Sequence, residues 1–174
     1  MSKQSPKKEL IQSLNSGEAS KVLLTLLKKN PDLEDKIYRI AVKILSDVNS
    51  EDIMNDVLYA LDSLDVEELY GRSGKSRYGY TDPADESWVM FEEALDPFIT
   101  EMEKYQKRDM QDIAKEYCIG IIKGIQEYDK GSYSEFKDWV TDAPDENIDS
   151  VLEAWKKGRP SEEDVAEVLK LIND

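Results

Sequence analysis

A chain of 174 residues with 23 Lys and Arg against 38 Asp and Glu carries a formal charge of −15, no histidine and one cysteine. The missing imidazole excludes Ser-His-Asp and Cys-His relays, HExxH zinc sites and two-His-one-carboxylate iron sites. Lone Cys118 can form neither an intramolecular disulfide nor a CxxC metal pair.

Chain order begins with Ser5-Pro6, a polar residue before a proline, which predicts a helix start in a segment carrying Lys3, Lys7 and Lys8. Neither a signal peptide nor a spanning helix is expected: no apolar run of the right length follows, and no stretch nears the roughly 20 apolar residues that a bilayer needs. The expected location is the cytoplasm. Residues 18–29 predict a helix with Val22, Leu23, Leu26 and Leu27 inward, ended by Asn30-Pro31, which reads as the cap and first residue of the next helix. That next helix, 33–48, places Leu33, Ile37, Ile40, Ala41, Ile44, Leu45 and Val48 at helical spacing.

Ser50 is expected to cap a third long helix on Ile53, Val57, Leu61 and Leu64, followed by a short piece over Val66–Leu69. Gly71, Gly74 and Gly79 then break the pattern, so 70–82 reads as a long Gly/Tyr/basic loop, and no segment alternates convincingly at period two. Asp82-Pro83 restarts a helix whose Trp88, Phe91, Leu95, Phe98, Met102 and Tyr105 step by 3, 4, 3, 4 and 3, close to a coiled-coil seam. Pro97 inside it predicts a kink or break at Leu95-Asp96. The helix over 109–128 puts Met110, Ile113, Tyr117, Ile121, Ile125 and Tyr128 on one side, flanked by Cys118 and Ile122. Joined near Lys107-Arg108, these two form a helical hairpin. Short helices follow around Phe136-Trp139-Val140 and Ile148–Trp155, and Arg159-Pro160-Ser161 starts a last one with Val165, Val168, Leu169 and Ile172. The expectation is a single all-α domain over 1–174, stacked antiparallel helical hairpins in an irregular, repeat-like array of about eight helices, without a fixed repeat period.

Leu-Lys-Lys-Asn-Pro-Asp-Leu-Glu-Asp-Lys-Ile (27–37), Ala-Leu-Asp-Ser-Leu (60–64) and the hairpin from Phe91 to Tyr128 together resemble the helical region that accompanies the SWIM zinc finger in bacterial and archaeal proteins. The resemblance spans roughly residues 20–130. It implies a helical interaction domain. The finger's CxCx(n)CxH ligands have no counterpart, since Cys118 stands alone and histidine is absent, so neither zinc nor a DNA-binding role carries over.

Charge is unevenly placed along the chain. Residues 1–29 hold 6 Lys and 2 Glu, net +4, and 30–69 hold 3 basic and 11 acidic, net −8. Residues 70–81 hold Arg72, Lys75 and Arg77 without an acid, net +3, and 82–174 hold 11 basic and 25 acidic, net −14. An acidic C-terminal half repels phosphates, so direct nucleic-acid binding is not expected and a basic protein is the favoured partner. The exception is the loop, where Tyr70, Arg72, Lys75, Arg77, Tyr78 and Tyr80 combine cations, stacking surfaces and backbone freedom in a candidate binding segment. Its bland alternative is a solvated connection whose tyrosines cover neighbouring helix ends.

Gly71-Arg-Ser-Gly-Lys-Ser76 is not a P-loop: Leu69 stands where GxxxxGK[ST] needs its first glycine, and no strand precedes it. Asp142-Ala-Pro-Asp-Glu and Asp82-Pro-Ala-Asp-Glu miss the calcium-loop spacing and read as helix starts. Trp88, Trp139 and Trp155 lie on apolar stripes and Cys118 on an apolar face, as core residues do. No catalytic residue, metal or cofactor is expected. The resulting expectation is a non-enzymatic helical protein-interaction module of adaptor or scaffold type. An acidic inhibitor or immunity-type protein imitating nucleic acid is the alternative, and a carboxylate-only enzyme comes third.

Overall fold

Asn15 opens the first long helix through a reciprocal capping box. Its side chain accepts from the Glu18 N–H and the Glu18 carboxylate accepts from the Asn15 N–H, an arrangement worth about 1 kcal/mol. The computed structural model to which this helix belongs describes residues 5–77 and 79–173, and among them the chain is all-α apart from one small hairpin. Contacts within the chain cluster in two compact units, Met1–Asp47 and Val48–Asp174.

The N-terminal unit consists of α1 (Pro6–Gln12), α2 (Ser16–Lys29), a 3-10 turn (Pro31–Leu33) and α3 (Glu34–Leu45). Asn30 faces backward and not forward as expected: its side-chain amide donates to the Leu26 carbonyl, closing α2, and it makes no side-chain cap for the residues that follow. Both long helices are strongly amphipathic, yet no described side chain of this unit is buried. Val22, Leu23 and Leu26, expected to point inward, are 53%, 42% and 42% exposed, and Ile40 and Ile44 are exposed too. Contact between α2 and α3 concentrates at the 3-10 turn, so neither stripe covers the other along its length.

The second unit contains α4 (Ser50–Asp62), α5 (Val66–Arg72), β1 (Gly74–Ser76), β2 (Gly79–Thr81), α6 (Pro83–Lys107), α7 (Gln111–Gly131), a 3-10 helix (Glu135–Trp139), α8 (Ala143–Lys156) and α9 (Glu162–Asn173). Asn49, one residue before the expected Ser50, caps α4 by accepting from Glu51 N–H, and Asp82 caps α6 ahead of Pro83 as the sequence indicates. The helix α6 runs unbroken through Pro97, so of the kink or break expected at Leu95-Asp96 no break occurs. Proline forfeits one backbone bond and crowds the carbonyl four residues earlier, while buried Phe91 and Leu95 before it and Met102 and Tyr105 after it anchor both halves. The chain reverses at Asp109, whose φ of 58° lies in the left-handed region, with Met110 N–H bonding back to the Tyr105 carbonyl.

Helix α7 lies at the centre, packed on α4, α6 and α8. Its approach to α4 is set by Gly120 and Gly124: a Cβ on Gly120 would lie 2.6 Å from Ile53 Cβ, and one on Gly124 would lie 2.6 Å from Val57 Cβ and 2.9 Å from the Met54 carbonyl oxygen. Two glycines one turn apart thus let the two backbones meet across β-branched side chains that are themselves buried. Phe91 and Tyr128 meet edge-on at 5.7 Å within this core, and Trp155 and Phe136 are buried with them. Burying each such aromatic removes enough apolar area to be worth about 2–3 kcal/mol.

Candidate functional site

Residues 70–81 are not the open loop expected. Tyr70–Arg72 complete α5, held by the Asp65 cap and by buried Leu69, and the remainder folds back as an antiparallel hairpin. Gly74 and Gly79, at φ 89° and 138°, adopt backbone angles that L side chains rarely take. The strands pair Gly74 with Thr81, Lys75 with Tyr80 and Ser76 with Gly79.

Arg72 is the foot of this hairpin. Its Nε lies 2.7 Å from Glu86, one terminal nitrogen 2.8 Å from Glu93 and the other 3.6 Å from Glu68. The hydrogen bond it donates to Glu93 is the chief cause of its raised pKa, with the charges of Glu93 and Glu86 adding to it. The guanidinium is therefore committed to carboxylates of α5 and α6, and its geometry fixes the hairpin base instead of offering a cation to a ligand. Tyr70 is half exposed and meets Trp139 edge-on at 5.7 Å.

Lys75 and Tyr80 are directly opposed, so both project from the same face of the ladder, and both are exposed. Arg77 is exposed at the turn; Tyr78 lies outside the described residues. Of the six sequence-derived candidates, the structure thus brings Lys75 and Tyr80 side by side, sets Tyr70 against Trp139, and turns Arg72 toward the scaffold. An ammonium beside a phenol on a short raised ladder can grip a carboxylate, a carbonyl or an aromatic edge.

The remaining features are structural. Cys118 is buried, and desolvation pushes its thiol up to about 12, away from thiolate chemistry. Burial likewise pushes the Tyr128 phenol up to about 12. Trp155 is buried and Trp88 and Trp139 are half-buried. Lys115 ties α9 to α7 through Asp164 at 2.7 Å and Glu167 at 2.5 Å. The hydrogen bond to Asp164 raises the lysine, and the same bond lowers the carboxylate. A cavity of about 430 Å³ is lined by Asp129, Asp145 and Asp149 with Ile148 and Ile172 among its apolar walls. Among the described residues no three His, Cys, Asp or Glu side chains gather as metal ligands, and no helix is long and apolar enough to cross a membrane.

Two features escaped the sequence. The Gly120-x-x-x-Gly124 spacing is visible in the chain and marks the α4–α7 approach. The exposure of Val22, Leu26, Ile40 and Ile44 has no sequence signal, because periodicity identifies a face but not its cover. No family model matches the chain, and neither a curated protein nor a solved structure matches it.

Proposed function

We propose that this chain is a non-enzymatic helical protein-interaction module acting in the cytoplasm, with the 74–81 hairpin as a contact element. The observation that carries the proposal is the side-by-side display of Lys75 and Tyr80 on a ladder whose foot is clamped by Arg72 to Glu86 and Glu93. Holding exposed side chains on a fixed support lowers the ordering cost of binding. The resemblance of residues 20–130 to the helical region beside SWIM zinc fingers points to the same class.

The test is affinity capture from a lysate with the full chain and with a Lys75→Glu, Tyr80→Ala variant, both checked for equal helicity. A partner retained by the first and lost by the second supports the hairpin as the contact. The same partner held equally by both moves the contact elsewhere, and recovery of no specific partner contradicts the module reading.

A second reading is favoured by charge. Residues 48–174 hold 14 basic against 32 acidic residues, net −18, and such a surface steers a basic nuclease or DNA-binding protein toward it. In that case the captured partner is basic, indifferent to the hairpin variant, and displaced by a polyanion.

A further inference from the structure

A shallow, open groove along one face of α2 exposes Val22 and Leu26, 53% and 42% accessible, as its apolar surface. Lys21 and Lys29 border it. Eight residues apart, they stand roughly 12 Å apart along the helix axis. The other polar groups at the groove are already engaged: the Thr25 hydroxyl donates to the Lys21 carbonyl at 2.7 Å, and the Asn30 side chain donates to the Leu26 carbonyl at 3.0 Å. The two ammonium groups are in none of the ion pairs formed among the described residues.

We propose that this groove docks an acidic amphipathic helix of a partner protein, aliphatic side chains entering between Val22 and Leu26 and carboxylates about two turns apart meeting Lys21 and Lys29. The proposal rests on the interaction-module reading but uses a different surface from the hairpin. Charge complementarity selects the occupant. A second copy docked α2 on α2, in either direction, sets lysine against lysine. An anionic bilayer is the weaker candidate because α2 carries no aromatic residue for the interface. Helix-in-groove recognition also supplies what the N-terminal unit lacks, a cover for stripes of which no described side chain is buried.

The test uses two synthetic helical peptides with the same leucine stripe, flanked in one by glutamates and in the other by lysines, titrated into the full chain by fluorescence anisotropy. The glutamate peptide is expected to bind about tenfold more tightly, because two exposed ion pairs replace two repulsions, and salt should erode the difference. Lys21→Glu with Lys29→Glu should reverse the preference, and Leu26→Asp should weaken both peptides. These side chains are exposed, so the variants keep the fold. Equal binding of both peptides, indifference to the charge reversal, or binding of neither overturns the proposal. So does a dimer in sedimentation that Leu26→Asp dissolves, or attachment to phosphatidylserine vesicles. If neither peptide binds while the hairpin variant still loses a captured partner, this inference alone fails; if capture fails as well, the module reading fails with it.

Discussion

The two units spend similar sequence grammar on opposite outcomes. Residues 48–173 and 5–47 both carry amphipathic helices, but the first buries Val57, Leu61, Phe91, Leu95, Ile121, Ile125 and Trp155, and the second buries no described side chain at all. Their charges also oppose: 9 basic against 6 acidic residues over 1–47, net +3, against net −18 over 48–174. Amphipathicity alone therefore does not make a core. A stripe becomes a core where a second backbone can come close, as α4 does over Gly120 and Gly124, and otherwise it remains a surface available to another molecule.

The largest test of this contrast is Phe91→Ala, which removes a fully buried ring and should cost about 3–5 kcal/mol in urea unfolding. Gly124→Ala comes next, at about 1–3 kcal/mol, since its Cβ must displace Val57 and the Met54 carbonyl and so outweighs the gain in helix propensity. Val57→Ala in the same chain should recover part of that loss, and full additivity would show that the two helices do not meet there. Arg72→Ala should cost about 1 kcal/mol, an effect reduced by salt because the guanidinium is a third exposed. The stability advantage of the native chain over Lys115→Met has a pH window. Asp164 is held below its ordinary value, so its contribution is present above about pH 4 and fades as pH falls further; Lys115 is held above its own, so its contribution is full below about pH 10.5 and fades above it. Comparing the two proteins' unfolding midpoints from pH 3 to 11 checks both edges. Smallest of all, Leu26→Asp should change global stability by no more than about 0.5 kcal/mol, because its side chain is already exposed.

Sequence pattern was most informative where one face meets a permanent neighbour. Of the expected stripe, Ile113, Ile121, Ile125 and Tyr128 are buried with Cys118 and Ile122 beside them, while Met110 and Tyr117 are half-buried, and Asp82-Pro83 starts α6. Pattern was silent on the hairpin, because strands of three residues are too short to show alternation. It gave no sign of the ion pairs of Arg72, whose carboxylates Glu86 and Glu93 lie 14 and 21 residues further on and outside any local charge window. At Pro97 the local rule predicts a kink or break, and the helix continues through the proline with buried contacts on both sides. In the candidate site, residue type located the segment, but only the strand register shows that Lys75 and Tyr80 stand together.

Hydrogen exchange across the full chain addresses the central claim most directly. With no bound partner, amides of α4 and α7 should exchange only through global unfolding, while those of α2 and α3 should exchange orders of magnitude faster, since short helices without a covered face are marginal in water. Adding the glutamate-flanked peptide should slow α2 selectively. Protection of α2 and α3 equal to that of α7 in the free chain, or protection unchanged by the peptide, would contradict the account.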